Sequence, residues 1–566
     1  MGSGDLITRV YGGFRGVDFR GDEINLLRSP DSVNMWKDYK ETDSIRTRPK
    51  MKELYSFDET VYGIFFYNDA MIVHSGTKLY KVVNGEKEEL YTGLKATKSN
   101  AFIFDRKWYF KDGESYLQYD GENIGEVVSS IIPTTSIGRK PEGGGTIHED
   151  ANLFSDYRIN SFVASHPDVE EEKREKEYHL DAQSIDSDYT PEVTVNGNKV
   201  TEFSVDYAKG IITFEEAPVN EYTDGQDNVF IKFKKTIKQE DKNKILKCTL
   251  LEVFDNRVFF SGNPDFPNGI WHCSLDEPTY CSDLDYYNEG SDTAKVTGMV
   301  AGNNALWVFK EPSQANTTVF YHTPTIDNDY GKIYPNIHSS IATGCVGAAI
   351  NFNDDIVFFS DRGMEGISGD VTTEQVIAHR SSVVDRKLLA EPDYANMILA
   401  EWEGYLVVII GNKAYLADSR AMFTNEDHNE YEWFYWEFSE NITCAKVDKG
   451  VLYLGTDKNI YTLTDTEGDV ESYWVTPKDK FKHPQYLKTT NKRGCVAEAK
   501  GDVSVYAKTE KTDFEHIGTY ENITDYFVSR IKRKKFKDIQ LKFHSQTRFS
   551  LETVTLECFI GGYTKR

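Results

Sequence analysis

GCVGAAINFNDDIVFFSDRGMEG, residues Gly344–Gly366, contains the repeating unit that decides the fold. A short apolar strand, Val346–Ile350, is followed by a polar turn, a second apolar strand, Ile356–Phe359, and a Ser-Asp-Arg-Gly turn. Such alternation of apolar runs and turn residues indicates an antiparallel hairpin. Six other segments share the pattern: Ile64–Val73, Phe102–Phe110, Leu251–Ser261, Val300–Phe309, Leu399–Ile409 and Thr443–Leu454.

The spacing of these hairpins predicts a β-propeller. One turn residue from each hairpin was used for counting: Asp69, Arg106, Asn256, Asn304, Asp354, Gly404 and Lys449. Successive intervals are 37, 150, 48, 50, 50 and 45 residues, and four-stranded propeller blades repeat at roughly 40–50 residues. We therefore predict an all-β protein with about seven blades, six or eight being the alternatives. The WD and G-H signatures of WD40 repeats are missing.

Second hairpins between these units are expected to complete the blades. Lys78–Val83 and Glu89–Tyr91 flank Asn84-Gly85, a dipeptide typical of tight hairpin turns. By the same reasoning, Asn459–Leu463 is predicted to pair with Glu471–Val475.

Length and composition divide the chain further. At 566 residues with 13% aromatic residues, two to four β-rich domains are expected. We predict an arm at 1–55, blades at 56–144 and 241–480, an inserted β-sandwich at 145–240, and a basic C-terminal β domain at 481–566 that forms a platform with the arm. The insertion carries an acidic-basic run, EEEKREKE at 170–177, which predicts a solvated loop or short helix.

Charge is distributed unevenly between the two ends of the chain. The net charge is −26, yet residues 482–566 hold 17 Lys and Arg against 10 Asp and Glu. A basic end on an acidic body predicts docking to an acidic partner, with ordinary solvated charge as the alternative. The candidate docking surface is the basic run at 530–537, with cations Arg530, Lys532, Arg533, Lys534, Lys535 and Lys537. Four arm arginines, Arg15, Arg20, Arg46 and Arg48, are expected to assist.

Several functional classes lack their sequence signals. No apolar run is long enough to span a membrane, and the N-terminus has no secretory pattern. Seven scattered cysteines predict buried, reduced thiols. No catalytic, metal or cofactor motif is found, and we expect no enzyme activity and no cofactor. Ser360–Gly363 resembles the Asp-box of sialidase propellers but lacks its spacing and its Trp.

Several stretches resemble proteins of tailed-phage tails. The head of the chain, GGFRGVDF, SPDSVNMWKD and IRTRPK (12–19, 29–38 and 45–50), resembles their opening segment. NRVFFSGNPDFPNGIWHCSLDEPTYCSD at 256–283, NALWVFK at 304–310 and the Gly344–Gly366 segment resemble their blades, and the basic C-terminal domain ending GGYTKR resembles theirs. Together these stretches look like the tail-nozzle or tail-tubular-B-like family of short-tailed phages, which is related to the packaged-DNA stabilisation (head-completion) proteins.

This resemblance implies a non-enzymatic virion protein made in the host cytoplasm. Such proteins form a ring, usually of six copies, below the portal and adaptor. The ring retains the packaged double-stranded DNA and channels it at ejection without reading its sequence, and tail fibres are possible contacts. One alternative is a receptor- or glycan-binding propeller with exposed Trp or Tyr platforms, although Trp433 and Trp436 are expected to pack between blades. Another is a glycoside hydrolase or sialidase, which requires a carboxylate pair facing the central channel.

Overall fold

The computed structural model describes residues 6–21, 25–40, 44–222, 225–313, 316–327, 331–333, 336–338, 343–368, 376–425, 428–465, 468–532 and 535–563. These residues form a β-propeller, an inserted β domain and a C-terminal β domain, which we call the platform. Helix is confined to Gln239–Leu246, Asp385–Leu388 and the 3-10 turns Glu171–Lys173 and Tyr394–Asn396.

The propeller has seven blades, each a four-stranded antiparallel sheet. Blade 1 comprises Val61–Tyr67, Ala70–Ser75, Lys78–Val83 and Glu86–Thr92; blade 2, Asn100–Phe104, Lys107–Lys111, Tyr116–Tyr119 and Ile124–Glu126. Blade 3 comprises Leu250–Phe254, Arg257–Ser261, Gly269–Ser274 and Glu277–Asn288; blade 4, Val296–Gly302, Ala305–Lys310, Val319–His322 and Asn336–His338, beside the hairpin Thr325–Asp327 and Gly331–Ile333. Blade 5 comprises Ala349–Phe352, Asp355–Ser360, Gly363–Ser368 and Val376–His379; blade 6, Ile398–Trp402, Tyr405–Ile410, Lys413–Asn425 and His428–Glu437. Blade 7 comprises Cys444–Asp448, Val451–Gly455, Asn459–Thr464 and Lys50–Ser56.

The turn chemistry explains why the first two strands of every blade pair tightly. Each of these hairpins has a two-residue loop with positive φ at both positions, as in Asn68-Asp69, where φ is 47° and 62°. Positive φ at both positions defines the type I′ turn, whose twist matches that of paired strands. The other loops are Asp105-Arg106, Asp255-Asn256, Asn303-Asn304, Asn353-Asp354, Glu403-Gly404 and Lys449-Gly450. The residues used to count blades in the sequence therefore all lie in turns.

The ring is closed by strands from the two ends of the propeller segment. Asn459–Thr464 pairs with Lys50–Ser56 from the arm, and the first strand of blade 7 contacts the first strand of blade 1. The predicted hairpin between Asn459–Leu463 and Glu471–Val475 is wrong, because Ser472–Val475 pairs with Ile539–Ser545 in the platform. Pairing the arm strand into blade 7 joins sequence-distant segments by backbone hydrogen bonds and prevents the ring from opening at its seam.

A central cavity of about 350 Å³ lies where the first strands meet, and all seven blades contribute to its lining. Apolar side chains fill the spaces between blades. Phe309 of blade 4 and Phe358 of blade 5, for example, are fully buried and stack with ring centroids 4.8 Å apart. The Gly344–Gly366 segment therefore supplies inter-blade core.

The inserted domain follows blade 2 and has two sheets. The larger contains Thr134–Arg139, Thr146–Ile147, Tyr157–Phe162, Glu192–Val195, Asn198–Val200 and Val229–Lys234; the smaller contains Glu177–His179, Phe203–Asp206 and Ile211–Phe214. Its first strand begins before residue 145, where we placed the start of the insertion. The acidic-basic run contains the exposed 3-10 turn Glu171–Lys173 and ends at Glu177, the first residue of the strand Glu177–His179. Its exposure is consistent with a solvated segment.

The platform combines both ends of the chain. Its strands are Ser472–Val475, Tyr486–Thr509, Thr512–Ile523, Tyr526–Ser529, Lys535–Phe536, Ile539–Ser545 and Phe549–Tyr563, joined by Leu6–Gly12, Ser32–Val33, Met35–Trp36 and Ile45–Thr47 of the arm. The short strands Gly16–Val17 and Arg28–Ser29 pair with each other. Met35–Trp36 also pairs with blade 6, so the sheet is continuous from propeller to platform.

The arm is held against blade 6 by close packing. Trp36 stacks on Trp402, with centroids 5.3 Å apart, and meets Trp436 edge-on at 5.6 Å. Gly16 has φ +109°, and a Cβ there would lie 2.0 Å from the carbonyl oxygen of Trp433, so only glycine allows this approach. The polar arm therefore orders by packing on the rest of the chain.

Candidate docking surface

The long strand Tyr486–Thr509 positions the basic run. Tyr526–Ser529 and Lys535–Phe536 both pair with its first half, so the run connects two short strands attached to one neighbour. Ile531 and Phe536 are 6% and 1% exposed and anchor the run in the platform core. Burial of these two apolar side chains fixes the run, while Arg530, Lys532, Lys535 and Lys537 remain at the surface.

Four predicted docking cations lie on this surface. Arg530, Lys532, Lys535 and Lys537 are exposed, and none has an ion-pair partner among the described residues. Arg533 and Lys534 lie outside the described residues. The structure thus presents at least four cations whose charge is not matched within the described part of the chain.

A neighbouring carboxylate, Glu510, binds the backbone of the basic run. It accepts hydrogen bonds from the backbone N–H groups of Lys537, at 2.9 Å, and Asp538, at 3.4 Å. Burial opposes its ionisation, but these bonds outweigh burial and lower the pKa of Glu510. Glu510 therefore holds the end of the basic run in place.

Two further cations, which the sequence analysis did not select, belong to the same surface. The register of the long strand shifts between Thr490 and Cys495, which makes a bulge that exposes Lys492 and Arg493. Gly494, at φ +73°, packs against the run, since a Cβ there would lie 2.4 Å from the carbonyl oxygen of Ser529. The bulge places Lys492 and Arg493 beside Arg530. The sequence signal for this bulge is Gly494, a glycine that directly follows the two cations.

An open apolar sheet face lies on the same domain. Val10, Thr555, Val496 and Val528 are register partners across four strands and share one face. Val10 is 56% exposed and Val528 38%, and Tyr526 on the same face is 65% exposed. Glu498 and Glu557 lie on the same face, two residues along their strands from Val496 and Thr555. The apolar centre therefore has a polar rim that includes both signs of charge, as protein–protein interfaces do.

The arm arginines are used within the chain. Arg48 is buried and binds Asn34 and the carbonyl of Glu437, and burial lowers its pKa to about 10. Arg20 pairs with Asp18 at 2.8 Å, and Arg46 pairs with Asp38. Arg15, with a half-exposed side chain, lies 3.8 Å from Glu432. Arg20 and Arg46 thus pair within the arm, whereas Arg48 and Arg15 contact blade 6. The docking prediction therefore rests on the C-terminal cations.

Aromatic platforms for a glycan are not formed by tryptophan. All eight tryptophans are buried, and Trp433 and Trp436 are 0% exposed. Trp433 packs in the apolar cluster between blades 5 and 6, and Trp436 packs in the cluster that joins blades 6 and 7 to the arm and the platform. Both therefore lie between blades, as expected.

The central cavity provides no glycosidase-like carboxylate pair. Its lining, as far as the described residues define it, contains no Asp or Glu. The Ser-Asp-Arg-Gly turn is structural: the Ser360 hydroxyl is buried and accepts a hydrogen bond from the backbone N–H of Arg362 at 3.0 Å. Neither feature supplies the chemistry that a glycosidase requires.

The thiols of the protein lie in its interior. All seven cysteines are free and buried, and burial raises the pKa of Cys495 to about 12. No cluster of three metal-binding side chains was found within the described ranges. The longest described α-helix, Gln239–Leu246, has eight residues, and none is long and apolar enough to cross a bilayer.

Comparisons with known proteins identify no family. No family model matches the sequence, and no curated protein matches it. Among solved structures, BamB from Moraxella catarrhalis shows 10% identity and a TM-score of 0.34, covering 75% of this chain and 99% of its own. The designed Ika8 protein shows 9% identity and a TM-score of 0.31, covering 73% of this chain and 100% of its own. Hsv2 from Kluyveromyces lactis shows 10% identity and a TM-score of 0.24, covering 67% of this chain and 97% of its own. These TM-scores are too low to carry an argument, so the fold assignment rests on the sheet topology described above.

Proposed function

We propose that this protein is a structural component of a tailed-phage virion, a tail nozzle or head-to-tail conduit built as a ring of identical copies. The observation that carries the proposal is the platform surface, where exposed, unmatched cations lie beside an open apolar sheet face. The sequence resemblance to phage tail proteins supplies the biological setting. The platform attaches each copy to its neighbours and to the portal or adaptor.

The charge distribution supports the same role. Residues 1–481 hold 48 Lys and Arg against 81 Asp and Glu, a net charge of −33. Duplex DNA carries one phosphate charge per about 1.7 Å of axis, so an acidic body repels passing DNA and prevents adhesion. The basic platform instead favours acidic protein surfaces.

The DNA passage lies between copies and not inside a propeller. A cavity of about 350 Å³ is too small for a duplex, whose major groove alone is about 12 Å wide and 8.5 Å deep. Each propeller therefore acts as a wall segment of the ring.

Both parts of the platform surface are needed for attachment. Exposed ion pairs contribute about 0–1 kcal/mol each, so four give at most about 4 kcal/mol. Stable interfaces bury about 1,200–2,000 Å² in total, and the apolar face supplies the buried centre.

Charge reversal tests the docking role. R530E/K532E is expected to reduce incorporation into particles while the isolated protein keeps its unfolding temperature. The matched control is K107E/K199E, which reverses two exposed lysines of blade 2 and the insertion. Incorporation of R530E/K532E at the wild-type level would contradict docking through this surface.

Electron microscopy and mass measurement test the ring itself. Purified protein, or tails from virions, should contain closed rings, and Val10→Asp on the apolar face should shift the population toward monomers. A protein that is found only as a monomer apart from virions would overturn the proposal.

A further inference from the structure

The central cavity of the propeller has an unusual charge. The only charged residues among its described lining are two lysines, Lys98, which precedes blade 2, and Lys446, in the first strand of blade 7. This purely cationic lining occurs in a protein with a net charge of −26. A cavity lined by positive charges and low-dielectric walls focuses the electric field, which raises the local concentration of anions.

Neither lysine has a partner. No hydrogen bond or ion pair of Lys98 or Lys446 is formed within the described part of the chain. Two buried lysines elsewhere are satisfied: Lys111 donates to the carbonyls of Ile245 and Leu246 at 2.9 and 3.1 Å, and Lys488 donates to the carbonyl of Lys537 at 2.7 Å. Lys98 and Lys446 are instead exposed, so their ammonium groups are accessible to a ligand in the cavity.

The two lysines belong to the same part of the wall. Lys98 and Lys446 line the same cavity together with Cys444, which lies two residues before Lys446 on the same strand. Residues two apart on a strand share a face and are separated by about 6.6 Å. Side chains of both lysines therefore reach one region of the cavity.

The environment of Lys98 favours a bound anion. Its side chain is exposed to the solvent of the cavity, and the surrounding walls of the cavity desolvate it enough to lower the pKa of Lys98. An anion beside the ammonium group compensates that desolvation. Small residues keep the adjacent space open: Gly63, Ala101, Gly298, Gly347, Ala348, Ala349 and Ala445.

We propose that the central cavity binds a small oxyanion between Lys98 and Lys446. The ligand class is a phosphate or a compact carboxylate, since two ammonium groups with no acidic neighbour match a multivalent anion. A liquid water molecule occupies roughly 30 Å³, so a cavity of about 350 Å³ accommodates such an ion with several waters. This site is separate from the platform surface, and the proposal does not depend on the virion function.

Calorimetric titration of the full chain with sodium phosphate tests the site, with citrate as the carboxylate arm and sodium chloride at equal ionic strength as the reference. The expected result is saturable binding of phosphate or citrate with a Kd near 1 mM or tighter. K98M and K446M should each weaken binding at least about tenfold, and K98M/K446M should abolish it. K98R/K446R keeps the charge and should restore binding.

Two control variants test whether the anion binds in the central cavity. Lys107→Met removes an exposed lysine of blade 2 outside the cavity, and R530E/K532E removes platform charge; both should bind as the wild type does. Unfolding temperatures in chloride establish that each variant is folded. Equal binding by wild type and K98M/K446M overturns the proposal, and so does the failure of both phosphate and citrate to bind saturably.

Discussion

Replacement of Arg28 by methionine should detach the arm from blade 6. Arg28 donates to both carboxylate oxygens of Glu432, from Nε and Nη2, each at 2.8 Å. The two side chains are 6% and 1% exposed. Removing one partner of a buried ion pair leaves an uncompensated charge, which typically costs about 3–5 kcal/mol.

The contacts around the pair set the size of the effect. Two hydrogen bonds between charged groups, at about 1.5–3 kcal/mol each, give about 3–6 kcal/mol. Arg15, 3.8 Å from Glu432, offsets part of the loss, but its side chain is half exposed. The carboxylate of Asp18, whose side chain is 1% exposed, also loses the Arg28 guanidinium that lies 3.8 Å from it. We therefore expect a net loss of about 3–5 kcal/mol near neutral pH.

The loss should depend on pH. Burial raises the pKa of Glu432 even in the wild type, and the charge and hydrogen bonds of Arg28 oppose that rise. Without Arg28 the pKa rises further, so the carboxyl takes up a proton as pH falls and the buried charge disappears. The defect of R28M should be larger at pH 8 than at pH 5.

Urea unfolding followed by tryptophan fluorescence measures this loss, because Trp36 of the arm contacts Trp402 of blade 6. Hydrogen exchange of the arm strands reports local release. Lys40→Met is the control: its pair with Glu403 spans 3.0 Å, but the side chains are 73% and 34% exposed, so a change of at most about 1 kcal/mol is expected.

The double variant R28M/E432M separates buried charge from lost packing. It should recover most of the stability, because an apolar pair of similar volume replaces the ion pair. The reasoning is refuted if R28M unfolds with the wild-type free energy. Equal destabilisation of R28M and R28M/E432M would show that charge is not the cause.

Three further predictions concern other positions. Burial raises the pKa of Glu252 to about 7, so its carboxylate destabilises the fold increasingly as pH rises from about 4.5 through 7, and E252Q should raise the unfolding temperature at pH 8 but not at pH 4. Burial lowers the pKa of His379, but hydrogen bonds to Asp385 and Glu365 outweigh it and raise the value to about 10. The charged imidazole therefore stabilises fully below about pH 6.5 and progressively less up to about pH 10, and H379Q should cost about 1–3 kcal/mol at pH 6 and little at pH 10.5 in thermal unfolding. Gly16→Ala forces backbone movement and should cost about 2–4 kcal/mol, whereas Gly13→Ala, with φ +61° and open space around its Cβ position, should cost only about 1–2 kcal/mol.

Local patterns predicted the blades because each hairpin is specified within about ten residues. The Asn84-Gly85 turn joins Lys78–Val83 to Glu86–Thr92, as expected. In the insertion, alternating apolar and polar residues predict strands at 192–195 and 211–214, and the structure has them at Glu192–Val195 and Ile211–Phe214. In the platform, however, the alternation of residues predicts two separate strands at 495–499 and 503–507. Both are parts of one strand, Tyr486–Thr509, because pairing with successive neighbours continues through the intervening Gly501.

The candidate docking surface was predictable in composition but not in extent. Arg530 and Lys532 belong to a basic run that is evident in the amino-acid sequence. Lys492 and Arg493 become part of the same surface only through the bulge at Gly494. The two lysines of the central cavity are separated by more than three hundred residues, so no local pattern relates them.

By itself, the sequence determined the all-β class, the hairpin repeat and the basic end, because turn residues, strand periodicity and charge are local properties. The tertiary structure decided the partners: Lys50–Ser56 closes blade 7, Ser472–Val475 joins the platform, and Lys98 meets the wall that carries Lys446. An open strand edge pairs with whichever edge the completed fold brings beside it. For this physical reason, strand partners and shared cavities emerge only when the ring closes.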